Sequence, residues 1–120
     1  MTKGAALTGA LVALVLARRC GRVVVTGSSM QPTLKSGDRL LVIRAGRPRP
    51  GHLVVVPDPR QPDRLLVKRA AAVHGGAVTV RGDNPASSTD SRDFGPVPVQ
   101  MLKGRAVYRY GPPERAGWLQ

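Results

Sequence analysis

Apolar positions along this chain fall in short runs, each closed by glycine, proline or a polar turn. Val23-Val24-Val25-Thr26 is β-branched and favours an extended strand. Gly27 then relaxes the backbone, and Pro32 forbids helix continuation just beyond it. Ser28 and Ser29 therefore fall on a bend at the end of a buried strand. Gly37-Asp38 marks a turn into a strand over Arg39-Leu40-Leu41-Val42-Ile43-Arg44. Arg47-Pro48-Arg49-Pro50-Gly51 is a break, and His52-Leu53-Val54-Val55-Val56 is the next strand, closed by Pro57-Asp58-Pro59. A longer strand runs from Asp63 to Val73 with Lys68 inside its apolar part. His74-Gly75-Gly76 is a turn, and Ala77-Val78-Thr79-Val80 leads straight into a polar loop, so Lys68 to Gly82 reads as a tight hairpin. Alternation puts Leu66, Lys68 and Ala70 on one face of the strand, with Val67 and Arg69 on the other. The pattern predicts an all-β fold of short strands.

Gly4 to Ala17 departs from that pattern, because it is apolar and carries no charge. As a helix it would be about 21 Å long, against about 30 Å of bilayer hydrocarbon. Three readings stay open: a thin membrane anchor with Arg18 and Arg19 snorkelling, a signal peptide cut near Val15-Leu16-Ala17, or a helix packed on the domain. Arg18-Arg19 is a poor start for a mature chain, which argues against the cut signal peptide.

Composition narrows the partners. One hundred and twenty residues allow one domain, and 3% aromatics leave a core of Val, Leu and Ala. The formal net charge of +12 favours an anionic partner. Nucleic acid is not expected, since Arg is scattered and stacking aromatics are nearly absent. A membrane surface fits better, given the apolar stretch beside the charge. Cys20 is the single cysteine and His52 and His74 the two histidines, so neither a disulfide, a metal nor a cofactor is expected. Both histidines flank glycine turns and read as surface residues.

Three stretches carry candidate chemistry: Gly27-Ser28-Ser29-Met30-Gln31-Pro32-Thr33-Leu34, then Leu65 to Val73 around Lys68-Arg69, then Gly82-Asp83-Asn84-Pro85-Ala86-Ser87-Ser88-Thr89-Asp90-Ser91-Arg92. In this order they resemble the type I signal peptidase family of Ser/Lys endopeptidases, over roughly Val23 to Pro98. The resemblance implies a signal-peptidase or LexA-like β-fold, an N-terminal anchor over residues 1–22 and a peptidase domain over 23–120. It implies Ser29, before Met30 and Pro32 of the serine motif, as nucleophile and Lys68 as general base. Ser88 falls on the base-orienting serine, with Ser87 as its competitor. Asp90 and Arg92 fall on a bracing ion pair, and Asp83 and Asn84 on the turn that closes the site. The Ser29 backbone N–H is the expected oxyanion donor. A second, side-chain donor stands two residues before the nucleophile in some members. That position is Gly27 here, which leaves Ser28 as a substitute. His52 also departs from the family, which usually has an acidic residue there.

The chemistry needs a neutral lysine. The reference pKa is about 10.4, so activity near pH 7–8 requires a value about 2–3 lower, and burial supplies such a shift. Leu65, Leu66, Val67, Ala70 and the Val23–Val25 strand are the expected apolar walls. Arg69 cannot replace Lys68, because guanidinium stays protonated.

The implied substrate is a precursor protein cut after a small residue, as in signal peptide removal. The run Arg109 to Gly117 and the bare hairpin also resemble the maturation proteases of nickel-type superoxide dismutase. A LexA-like self-cleaving regulator and an inactive membrane-surface module are the remaining rivals. The family places the catalytic domain outside the cytoplasm. Arg18, Arg19 and Arg22 after the apolar stretch favour the cytoplasm by the positive-inside rule.

Overall fold

The structure is a computed structural model that describes residues 20–44 and 46–119. The expected N-terminal helix over 1–22 falls almost wholly outside them. Among the described residues, no helix is long and apolar enough to cross a membrane.

The fold is all-β, as the alternation predicts. Eight strands make one sheet: β1 (Cys20–Val24), β2 (Arg39–Ile43), β3 (Leu53–Asp58), β4 (Gln61–His74), β5 (Ala77–Arg81), β6 (Val97–Pro98), β7 (Gly104–Gly111) and β8 (Gly117–Trp118). The order across the sheet is β1-β2-β7-β3-β4-β5-β6, with β8 pairing β7 to one side. Every pairing is antiparallel. A four-residue helix, α1 (Ser91–Phe94), lies in the loop between β5 and β6.

The strands differ from their predicted bounds for local reasons. β1 begins at Cys20 and ends at Val24, because Val25 turns away to bond with Asp38 and Gly37. β3 passes through Pro57, whose missing N–H is tolerated at an irregularity in the β3–β4 ladder. The β4–β5 turn is as read: His74 pairs with Ala77, and Gly75 and Gly76 have φ of +54° and +87°. Positive φ at both central residues is what a two-residue hairpin needs.

β3 is buried along its whole length, so its side chains supply both faces of the sheet. Leu53 and Val55 join Met30, Leu34, Leu40 and Val67 in one core. Val54 and Val56 join Ala70, Val78, Val80 and Val97 in a second. Among the described strands, β7 lies between β2 and β3 and bridges the β1–β2 pair to the β3–β6 sheet.

A buried lysine facing the serine turn

The serine bend is held at its base by Val25 and Asp38. The Val25 N–H donates to the Asp38 carbonyl, and the Gly37 N–H donates to the Val25 carbonyl, both at 2.8 Å. Gly27 has φ of +80°, a conformation that a side chain would strain. A serine at position 27 is therefore disfavoured by backbone geometry in this chain. Met30 and Leu34 are buried in the first core and fix the bend from below, leaving Ser28 and Ser29 half-buried.

The loop after β5 grips the same bend. Asn84 Nδ2 donates to the Ser28 carbonyl at 3.0 Å, and the Asn84 N–H donates to the Ser29 carbonyl at 2.8 Å. Thr33 Oγ1 donates to Asp83 Oδ2 at 2.6 Å, and the Asp83 N–H approaches Met30 Sδ at 3.4 Å. Asp83 also accepts from Arg69 Nε and Nη2 at 3.0 and 2.7 Å. That hydrogen-bonded ion pair holds the Asp83 carboxyl below the usual carboxylate range. Arg69 thus ties the serine bend to the residue next to Lys68.

Lys68 is only 2% exposed. Its Nζ donates to Ser88 Oγ at 3.1 Å, and Ser88 Oγ donates to Asp90 Oδ2 at 2.9 Å. Because the Ser88 proton is committed to Asp90, the hydroxyl presents a lone pair to the amine. Ser87 is exposed and makes no such contact. Asp90 is fully buried and accepts from the Gly82 N–H, from the Arg92 N–H and from Arg92 Nε and Nη2. Arg81 Nη1 stands 3.7 Å from it. Burial by itself would raise the Asp90 pKa; these donors, Arg92 foremost, outweigh it and hold the carboxyl well below its ordinary value. Burial lowers the Lys68 pKa, against the opposing charges of Asp90 and Asp58 and with help from Arg60 and Arg64.

The apolar walls differ from expectation. Val67 and Val25 belong to the first core, and Leu65 and Val24 are exposed. Lys68 stands opposite Val54 in register. Alternation then puts it on the face of Leu66 and Ala70, beside Val56 and Val80 of the second core.

Gly82 is where the two halves meet. A Cβ built there would lie 2.1 Å from Ser88 Oγ and 2.7 Å from the Ser29 carbonyl oxygen. Only glycine lets the backbone pass between the serine bend and the serine that touches Lys68. The structure thus brings Ser28, Ser29, Met30, Lys68, Asp83, Asn84, Ser88, Asp90 and Arg92 into one region. Pro32 lies on the exposed side of the same bend.

Three further residues brace this site without any signal in the sequence. Asp38, 1% exposed, accepts from Arg109 Nη1 at 3.1 Å and from Arg115 Nη1 at 2.7 Å. Arg109 Nη1 also donates to the Thr33 carbonyl at 3.0 Å, and Arg109 Nε donates to the Arg115 carbonyl at 2.6 Å. The last long strand thereby clamps the serine bend through Thr33 and Asp38. The partners are 71 and 77 residues apart, and no local pattern announces them. His52, expected at the surface, is half-buried with its Nδ1 accepting from the Arg49 N–H at 3.1 Å.

Comparison with known proteins finds a matching family model and several relatives. The model of the signal peptidase family, peptidase S26, matches residues 2–83 and 71–111. A mitochondrial ATP-independent inner membrane protease subunit 1a of Arabidopsis thaliana is 37% identical, across 80% of this chain and 73% of that one. A mitochondrial inner membrane protease subunit 1 of Xenopus tropicalis is 31% identical, across 82% and 73%. A subunit 2 of the Mus musculus enzyme is 32% identical, across 76% and 67%.

Proposed function

Since this chain belongs to the signal peptidase S26 family, we propose that it is a membrane-associated serine endopeptidase working through Ser29 and Lys68. The observation that supports the reading is a buried lysine whose amine is steered by Ser88, with Gly82 packed between Ser88 and the Ser29 carbonyl of a bend pinned by Asn84.

Neutral Lys68 donates one N–H to Ser88 and keeps its lone pair for Ser29 Oγ. Ser29 attacks the scissile carbonyl as Lys68 takes its proton, and the negative charge develops on the former carbonyl oxygen. The Ser29 backbone N–H donates to that oxygen, with the Ser28 hydroxyl as second donor. The tetrahedral intermediate collapses, and Lys68 passes its proton to the leaving amine. Water then attacks the acyl-enzyme as Lys68 takes its proton; the ester bond to Ser29 Oγ breaks, Lys68 returns that proton to Ser29 Oγ, and the carboxylic acid product leaves. Asp90 with Arg92, and Asp83 with Arg69, position the two reacting groups.

The substrate is a precursor carrying a signal or leader peptide, cut after a small residue. It binds in extended form beside the catalytic strands. Residues 1–22 form the membrane anchor and 23–120 the peptidase domain, placed on the extracytoplasmic side. The relatives, named as inner membrane proteases, support the membrane association.

The test is cleavage of two purified precursors, a secretory protein with an A-x-A site and a nickel-superoxide-dismutase precursor. Ser29→Ala and Lys68→Ala are each expected to lower cleavage by at least about a thousandfold while far-UV circular dichroism stays unchanged. Activity surviving in either variant sinks the dyad. Cleavage of the second precursor alone makes the chain a dedicated maturation protease.

A further inference from the structure

A cleft of about 570 Å³ opens at the end of β2 and β7, lined by Arg44, Arg47, Arg49, His52, Lys103 and Arg105. None of the seven Asp and Glu residues lines it. Among the described residues, none of its four arginines nor its lysine forms an ion pair. Arg105 Nε is buried without a hydrogen-bond partner. Burial and the charges of Arg105 and Arg49 together lower the pKa of His52, so the positive potential reaches the imidazole as well. An unpaired, partly buried guanidinium is costly unless an anion meets it.

The walls between these cations are apolar: Ile43, Val54, Val99 and Leu102. Arg44 and Lys103 are shared with a second cavity that continues past Val23 and Leu65 to Cys20. Cys20 is separated from the uncharged stretch Gly4–Ala17 by Arg18 and Arg19 alone. Cations interleaved with apolar side chains match a phosphate joined to acyl chains. Nucleic acid would ask for stacking aromatics, and no aromatic residue lines the cleft.

We propose that this cleft binds the phosphate headgroup of an anionic phospholipid, docking the domain on the membrane at the β2–β7 end. The inference is independent of the peptidase chemistry, because lipid binding is measured without substrate.

The test is native mass spectrometry of the full chain in detergent micelles, with phosphatidylglycerol or phosphatidylcholine added. Phosphatidylglycerol should be retained preferentially. Arg47→Gln/Lys103→Gln, on the exposed rim, should lower that preference by at least about tenfold, and Arg105→Gln should lower it further. Lys35→Gln/Arg64→Gln, which removes equal charge elsewhere, should leave it unchanged. Equal retention of both lipids, or a preference that survives in the rim variant, overturns the proposal. Displacement of phosphatidylglycerol by millimolar glycerol 3-phosphate, with that anion retained on its own, makes it a free-phosphate site and overturns the lipid assignment.

Discussion

Lys68 is held where its charge is unfavourable. Its pKa is lowered by burial, so between the folded value and the ordinary lysine value the unfolded chain binds more protons than the folded one. Stability attributable to this residue therefore rises with pH across that window, and the charged-state penalty is fully present below it. Lys68→Met is expected to raise stability at pH 6, to flatten the rise toward pH 10 in urea titrations, and to leave the enzyme inactive. A wild-type curve already flat over that range would mean Lys68 is not held neutral. Asp90 gives a slope of the same sign in acid, but there the charged form is the stabilising one. Its pKa is lowered, so its contribution is present above the unfolded value and lost as pH falls through the folded one. Asp90→Asn is expected to cost about 3 kcal/mol at pH 7, because Arg92 and the Gly82 N–H lose the fully buried anion they share. The gap to wild type should shrink in acid, and urea midpoints at pH 7 and pH 3 check it. These residues were legible in sequence because their motifs are contiguous. The walls around Lys68 were not, because Val54, Val56 and Val80 arrive from other strands.

At the scale of elements, alternation and glycine turns read β2 to β5 nearly to the residue, since each is a local pattern closed by a local turn. β7 is not legible in that way. From Gly104 to Gly111 it mixes Arg105, Arg109 and two tyrosines with Ala106 and Val107, without a clean two-residue period, because it meets a different environment on each flank. Its clamp on the serine bend has a kinetic consequence. Arg109→Met removes the donors to Thr33, Asp38 and Arg115 at once. The expected result is a kcat at least about tenfold lower with KM little changed, and a loss of about 2–3 kcal/mol of stability. If kcat moves no more than it does for a surface substitution, the bend does not depend on its clamp.

Across the whole molecule, charge is sorted by position. The carboxylates Asp38, Asp83 and Asp90 are spent inside the site and its braces, while the cleft lined by Arg44, Arg47, Arg49, Lys103 and Arg105 holds no carboxylate. A net charge of +12 was plain in the sequence; the gathering of Arg44, Arg47, Arg49, Lys103 and Arg105 around one cleft is a property of the fold. Association with anionic vesicles should therefore weaken between 50 and 500 mM salt, while hydrolysis of a neutral peptide in detergent should not, which sedimentation and peptide assays compare. The position of β7 has another consequence, one of timing. Ser29 belongs to the β1–β2 half and Lys68 to the β3–β6 half, and the strand between them is synthesised after both. A ribosome-held chain that already carries Ser29, Lys68 and Ser88 has its sheet in two parts and its serine bend without the Arg109 clamp. A chain cut short before Gly104 therefore lacks the strand that joins the two halves of the sheet and the Arg109 clamp on the serine bend.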